Sequence, residues 1–317
     1  MLEEEKILVT IMIPTYNQEK YIGEAIDSAL AQTYSNVEIL IGDDASTDHT
    51  PEIVKKYLNN SKIKFIRNIE NLGRVENYRN LLYKHAKGDF VVNLDGDDYF
   101  TNVNFISEAL KLVEVDVVIV SAMAVTESNG IECSSLMPAY SKSTGFQILS
   151  KLPNKKYLFM HMALLYRRSI AISINFYRSP NISSDWESLY RLSLRGTVKY
   201  LDINAGIWRQ HGSNETATIN VDKHFQNLNI WPFIYEDAKL FGMNHLLADF
   251  YCSRCISYFS QISMVTVSAN GAGATVRFLK AVFNLYPFAG LLLFCSPVSM
   301  CRMILSITGY YRIRGRF

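Results

Sequence analysis

Phe90-Val91-Val92-Asn93-Leu94-Asp95-Gly96-Asp97-Asp98 decides how the rest of this chain is read. Residues 90–94 form a short apolar run with β-branched members, the pattern of a buried strand. The run ends in three carboxylates within four positions, Asp95, Asp97 and Asp98. Like charges that close repel and resist burial, so a cation or a set of hydrogen bonds has to hold them together. Oxygen-only donors suit a hard divalent ion such as Mg²⁺ or Mn²⁺. In an open α/β sheet, ligands bind outside the carboxyl ends of the strands, which is where this cluster falls. The plain alternative is a solvated acidic turn.

The preceding segments weigh against that alternative. Residues 7–13 are almost continuously apolar up to Pro14, as in a strand buried on both faces of a parallel sheet. Tyr21, Ile22, Ala25, Ile26, Ala29 and Leu30 then recur at helical spacing. Residues 37–41 make a second strand that runs into Gly42-Asp43-Asp44-Ala45-Ser46-Thr47-Asp48. Thr50-Pro51-Glu52 carries the hydroxyl, proline and acid of a helix start. Residues 63–66 give a third strand, Asn71-Leu72-Gly73 a turn, and residues 75–85 a helix that Lys87-Gly88-Asp89 ends. Strand and helix alternate at the spacing of parallel crossovers. Both acidic turns should therefore face one crevice at one sheet edge, which two unrelated solvated turns do not explain.

Six motifs in this order carry a family resemblance: Pro14-Thr15-Tyr16-Asn17, Asp43-Asp44-Ala45-Ser46-Thr47-Asp48, Asn71-Leu72-Gly73, Arg79-Asn80, Ala86-Lys87-Gly88-Asp89 and Leu94-Asp95-Gly96-Asp97-Asp98. Their order and spacing resemble family 2 glycosyltransferases of the bacterial surface-polysaccharide type, over roughly residues 7–215. The resemblance implies an α/β, Rossmann-like, mostly parallel sheet (the GT-A fold) and metal-dependent, inverting sugar transfer from a UDP- or dTDP-sugar to a hydroxyl. Ala45 stands where the family usually has Gly. By the same resemblance Asp97 is the ligand of a Mn²⁺ or Mg²⁺ ion, and Asp95 and Asp98 orient the ion, the ribose or the donor sugar. Asp44 reads the base edge, Pro14, Thr15, Tyr16 and Asn17 line the base pocket, and Arg79 adds positive charge near the diphosphate. A helix-surface arginine is the other reading of Arg79.

Further on, residues 116–122 and 162–166 read as strands, and 126–160 as a long polar excursion with little regular pattern. Ser184-Asp185-Trp186-Glu187 opens an amphipathic helix. In the family an acid here is the catalytic base, which implies Asp185, with Glu187 as the rival and a first-turn helix acid as the ordinary reading. Residues 198–203 and 205–208 read as two strands. Arg209-Gln210-His211-Gly212-Ser213-Asn214 resembles an element that closes over the donor through His211, whose ordinary reading is loop packing. Two rivals remain in view. A nucleotidyltransferase usually has a Gly-rich loop after the first strand, and residues 14–19 contain no Gly. A nucleotide-sugar-binding protein without turnover has no need of the intact acids.

The resemblance fades from Phe225, which suggests a domain over 1–220 (a nucleotide-sugar half to about 122, an acceptor half from 123) and a helical region over 221–317. Residues 231–247 and 250–267 read as helices, and residues 281–301 carry no charge. Asn284, Pro287 and Pro297 interrupt that stretch, so an interfacial hairpin is expected rather than a span or a buried helix. From residue 250 on there are seven Lys or Arg and no acid, which leaves −5 on the first 249 residues once those seven are taken from the overall +2. This asymmetry points to the cytoplasmic membrane surface, and with it to a glycan or lipid-linked glycan acceptor. No nucleic-acid partner is expected, because the basic end lacks a polar surface interleaved with aromatics. Five Cys without zinc spacing fit a reducing compartment, with Cys252 and Cys255 as packing residues. The acidic start, Met1-Leu2-Glu3-Glu4-Glu5-Lys6, has no apolar signal core and fits cytoplasmic synthesis.

Overall fold

The computed structural model describes residues 7–128, 131–136, 138, 141–212, 221–268, 270–295, 300 and 304–306. The acidic start, Gly130, Ser213, Asn214, Pro297, Cys301 and the basic Arg302, Arg312, Arg314 and Arg316 lie outside the described residues. The chain divides into two compact units. The first comprises Met1–Ile148, Lys155–Pro180 and Ser184–Gly212; the second comprises Leu149–Asn154, Asn181–Ser183 and Ser213–Phe317.

The first unit is built on one sheet. Strand β1 (Val9–Thr15) is buried along its whole length, as its apolar run requires, and lies between β2 (Val37–Asp43) and β4 (Phe90–Asn93), parallel to both. β3 (Ile63–Arg67) adds in parallel outside β2. Helix α1 (Ile22–Leu30) buries Ile22, Ala25, Ile26 and Ala29, the stripe its spacing predicts. α2 (Thr50–Lys55) follows β2, and α3 (Arg74–Asn80) follows β3. α3 runs on into a wider turn over Leu81–His85, closed by Ala86 N–H donating to Leu81 O at 2.8 Å. Ile11, Ile39, Val92, Ile26 and Phe105 belong to one core cluster beneath this half of the sheet.

The remaining elements are β5 (Tyr99–Phe100), α4 (Phe105–Lys111), β6 (Val117–Ser128), β7 (Ile131–Ser134), β8 (Lys142–Thr144), α5 (Gly145–Lys151), β9 (Leu164–Arg167), α6 (Arg168–Ser173), α7 (Ser184–Ser193) and β10 (Thr197–Gln210). β9 runs antiparallel to both β4 and β6 and joins the two halves, giving the order β3-β2-β1-β4-β9-β6-β10-β5. Two expectations change here. The excursion over 126–160 is more regular than its polarity suggested, because β6 extends to Ser128 and folds back antiparallel onto β7. The two strands expected over 198–208 are one strand, parallel to β6, with register shifts on either side of Asn204 that absorb the break.

The second unit is helical. It holds α8 (Val221–Leu228), α9 (Ile230–Leu240), α10 (His245–Ser268), α11 (Ala272–Leu285) and α12 (Pro287–Phe294). Its core includes Leu228, Met264, Val267, Ala274, Phe278, Val282 and Leu293. The helix boundary expected near 248–249 falls earlier. Gly242, at φ 101°, takes the left-handed conformation that ends α9, and Met243 N–H closes back on Ala238 O at 2.9 Å. The uncharged stretch from 281 is not one helix: α11 stops at Leu285 and α12 restarts at Pro287. Among the described residues no helix is long and apolar enough to cross a membrane.

Candidate functional site

Parallel pairing aligns the carboxyl ends of β2, β1 and β4, so the loops that follow them share one edge. The loops after β1 and β2 are laced together. Asn17, at φ 52°, donates its N–H to Ser46 Oγ at 2.8 Å, and its Oδ1 accepts from Thr47 N–H at 2.8 Å. Gln18 N–H donates to Thr50 Oγ1 at 2.8 Å, and Glu19 N–H to Asp48 Oδ2 at 3.0 Å. Pro14 and Thr15 are buried in this rim, whereas Tyr16 stands 46% exposed.

Asp43 and Asp44 are both buried and are matched by donors from the fold itself. Asp43 pairs with Arg67 Nε at 3.1 Å and accepts Ser46 N–H at 3.1 Å. Asp44 accepts Leu72 N–H at 2.9 Å and Asn68 Nδ2 at 2.8 Å on Oδ1, and Gly73 N–H at 2.9 Å on Oδ2. It thereby clasps the Asn71-Leu72-Gly73 turn against the end of β2. The residue after it, Ala45, sits at φ 61°, the left-handed conformation in which glycine is at ease.

The turn after β4 differs. Asp95, Asp97 and Asp98 bring ligand oxygens within 4.8 Å of one another. Gly96 lets this turn come close to β1, because a Cβ there would lie 2.3 Å from Gln18 Oε1 and 2.8 Å from Thr15 Oγ1. Tyr78 OH donates to Asp95 Oδ1. Arg209 N–H donates to Asp98 Oδ1 at 2.9 Å, and its guanidinium donates to the Asp97 carbonyl at 2.9 Å. His211 Nε2 lies 3.0 Å from Asp97 Oδ2, with its ring stacked on Tyr21 at 4.8 Å. Burial, and then the neighbouring carboxylates, still push the Asp97 carboxyl up, and that of Asp98 well up. Three converging oxygen donors whose negative charge the protein leaves incompletely balanced fit a hard divalent cation.

Asp185 lies in the first turn of α7, half-buried, and its carboxylate has no hydrogen bond or ion pair among the described residues. The neighbouring acid is committed: Glu187 is 1% exposed, 2.5 Å from Arg178 Nε and 3.9 Å from Arg191 NH1. The fields of Asp185 and Asp95 both reach Tyr78 and His161. Both acids thus act on one aromatic group, which includes residues that sequence reasoning missed. Tyr78 stacks on Tyr177 at 5.0 Å, and Tyr177 OH lies 2.7 Å from both Asn93 Nδ2 and His161 Nε2. Asn93, His161 and Tyr177 share no motif or spacing; the one local signal was a polar Asn at the end of an apolar strand.

Arg79 is occupied elsewhere. Its NH1 donates to Asn175 Oδ1 at 3.0 Å and to the Phe176 and Tyr177 carbonyls at 3.2 Å, and its guanidinium covers the Tyr83 ring at 5.0 Å. These contacts match the helix-surface reading: Arg79 holds the segment that carries Tyr177, where Asn175 and Tyr177 both have positive φ. In the second unit, burial pushes the Cys255 thiol up to about 12, with Cys252 also raised, as for packing residues that stay protonated.

A family model described as Glycosyl transferase family 2 matches residues 10–174. Poly(ribitol-phosphate) beta-N-acetylglucosaminyltransferase TarS of Staphylococcus aureus (strain Mu50 / ATCC 700699) is 26% identical over 244 residues, 76% of this chain and 41% of TarS. UDP-Glc:alpha-D-GlcNAc-diphosphoundecaprenol beta-1,3-glucosyltransferase WfaP of Escherichia coli is 40% identical over 114 residues, 36% of this chain and 44% of WfaP. The aligned part is thus less than half the length of either relative. The crystal structure of S. aureus TarS 1-349 in complex with UDP-GlcNAc matches with a TM-score of 0.67 at 19% identity, over 96% of this chain and 90% of that one. Mannosyltransferase PcManGT from Pyrobaculum calidifontis, in complex with GDP-Man and Mn²⁺, matches with a TM-score of 0.54 at 17% identity, over 96% and 84%. At those identities the likeness is one of fold, the GT-A architecture.

Proposed function

The chain belongs to glycosyl transferase family 2, and we propose that it moves a sugar, with inversion, from a nucleoside diphosphate donor to a hydroxyl acceptor. UDP is the first choice of nucleotide and dTDP the second. The observation that carries this reading is the contrast between two acids. Asp97 sits in a carboxylate cluster suited to a cation, while Asp185 presents a half-buried carboxylate with no hydrogen bond or ion pair among the described residues, and its field reaches Tyr78 and His161.

Asp97 is assigned as the ligand of Mn²⁺ or Mg²⁺, with Asp95 and Asp98 around it. A cation held there would neutralise the departing diphosphate. Pro14, Thr15, Tyr16 and Asn17 form the rim of the base pocket, and Asp44 shapes it by holding residues 71–73. One acceptor site on Asp44 Oδ2 remains for the base edge. His211 closes on the donor beside Asp97. Asp185 takes the proton of the acceptor hydroxyl as that oxygen displaces the nucleoside diphosphate at the anomeric carbon. The products are the glycoside, the nucleoside diphosphate and a proton on Asp185. Both relatives are named for β transfer. From an α-linked UDP-hexose a β product means inversion.

The acceptor is proposed to be a glycan, free or lipid-linked, reached from the cytoplasmic face of the membrane. Leu285, Phe288, Leu291 and Phe294 are 46–60% exposed on α11 and α12, and α11 also exposes Arg277 and Lys280. Exposed apolar and basic side chains on the same helices suit the surface of an anionic bilayer. The reading is tested by following UDP release from UDP-Glc, UDP-Gal, UDP-GlcNAc and UDP-GalNAc in Mn²⁺ and in EDTA. Release from at least one donor, in Mn²⁺ only, is expected, and equal release in EDTA contradicts the metal assignment. Co-flotation with phosphatidylglycerol vesicles, weakened by salt, tests the membrane surface.

A further inference from the structure

The three acids of the turn after β4 are not held alike. Asp98 Oδ1 accepts Arg209 N–H at 2.9 Å, and Asp97 Oδ2 lies 3.0 Å from His211 Nε2, so both are fixed from the end of β10. The Asp95 carboxylate instead accepts from Tyr78 OH, at Oδ1, and among the described residues its side chain meets no other donor. Asp97 and Asp98 are buried, whereas Asp95 is half-buried and within reach of water. The charge of Asp95 bears on both of its neighbours. Repulsion among the three therefore has an outlet at Asp95, by rotation of its side chain into solvent. A hydrogen bond that fixes Oδ1 opposes that rotation and leaves Oδ2 for an ion.

The fold makes Tyr78 rigid enough for this task. It lies in α3 and is 1% exposed. Its ring stacks on Tyr177 at 5.0 Å, meets the His161 ring edge-on at 5.3 Å, and carries the Arg74 guanidinium over it at 5.6 Å. Tyr177 is fixed in turn, because its N–H donates to Ser188 Oγ on α7 at 2.7 Å and its carbonyl accepts from Arg79 at 3.2 Å. Burial, and then the Asp95 charge, push the Tyr78 phenol well above its ordinary pKa, so it keeps its proton and donates. A carboxylate aimed by a partner that is itself locked in place is the arrangement that raises metal affinity. We propose that Tyr78 is a positioning residue for the cation: its hydroxyl keeps Asp95 turned toward Asp97 and Asp98, and the ion binds more tightly for it. This rests on the cation and donor site proposed above.

The test uses the full chain. UDP affinity is measured by calorimetry as Mn²⁺ is raised from none, in EDTA, to saturation, and the Mn²⁺ concentration that gives half of the tightening is read. Tyr78→Phe keeps the ring and removes the hydroxyl. It should raise that midpoint about tenfold, the lower end for a hydrogen bond to a charged group because water can reach Asp95, and leave UDP affinity in EDTA within about twofold. In an Asp95→Asn background the same substitution should move the midpoint by less than about twofold, since Tyr78 acts through Asp95. If Tyr78→Phe does not fold, p-aminophenylalanine and p-fluorophenylalanine at position 78 make the comparison at nearly the shape of tyrosine. The first retains a donor, and its midpoint should lie about tenfold below that of the second. An unchanged midpoint in Tyr78→Phe, an equal loss of UDP affinity in EDTA, a full shift in the Asp95→Asn background, or equal midpoints for the two phenylalanine analogues overturns the assignment alone. A wild type that binds UDP no more tightly in Mn²⁺ than in EDTA overturns the cation site and this assignment with it.

Discussion

Asp43-Asp44 and Asp95-Gly96-Asp97-Asp98 look alike in sequence: acids at the end of an apolar strand, on one edge of one sheet. In the folded chain their chemistry differs. The first pair is matched internally, by Arg67, Ser46, Asn68 and the two N–H groups of Leu72 and Gly73. The second set meets Tyr78, Arg209 and His211, yet burial and mutual repulsion keep the Asp97 and Asp98 carboxyls raised. The first cluster stabilises the fold. In the second, burial and mutual repulsion oppose ionisation of the acids, which a bound cation would relieve. The same division recurs on α7, where Glu187 is locked between two arginines and Asp185 is not.

That contrast can be broken by substitution, and the largest effect is expected at Asp185. Asp185→Asn should lower the turnover rate by roughly 10²–10⁴-fold, the usual range for general-base assistance, with UDP affinity unchanged. Normal turnover in this variant would place the base elsewhere. Glu187→Gln should instead act on stability. It removes the buried charge that Arg178 and Arg191 both meet and should cost about 3 kcal/mol in chemical denaturation, with the rate less affected than in Asp185→Asn. If it is the inactive variant, the two roles are exchanged. Asp44→Asn removes the charge that gathers three donors and should cost about 2 kcal/mol, read as a lower denaturation midpoint. A smaller effect of opposite sign is expected at Ala45→Gly, which relieves the left-handed backbone and should raise stability by about 0.5–1 kcal/mol.

The sequence distinguished some parts of this architecture and not others. β1, β2 and β4 were visible because a strand buried on both faces needs a continuous apolar run, whatever its partners. β10 reads as two strands because Asn204 interrupts the apolar pattern; its pairing with β6 outweighs that break, and β6 lies far away in the chain. The apolar pattern continues past the end of α9, and one glycine, Gly242, is a weak stop signal against such neighbours. At the site, each acid could be named but its state could not. Arg67, Asn68, Leu72 and Gly73 come to Asp43 and Asp44 only through the crossover from β2 to β3 and its return. The Asn93–His161–Tyr177 group was invisible for the same reason, since three separate segments meet only in the folded sheet. Arg79, by contrast, has two readings in sequence, a charge near the diphosphate and a helix-surface side chain, and in the folded chain it holds the segment that carries Tyr177.

In the proposed mechanism, a cation bound at the turn after β4 in turn holds a nucleoside diphosphate. Calorimetric titration of UDP into the wild type, in Mn²⁺ and in EDTA, tests it most directly when repeated with Asp97→Asn and Asp44→Asn. Much tighter UDP binding is expected in Mn²⁺ for the wild type, with loss of that difference in Asp97→Asn and its survival in Asp44→Asn. Equal affinity in Mn²⁺ and EDTA for the wild type, or an undiminished Mn²⁺ effect in Asp97→Asn, would contradict it.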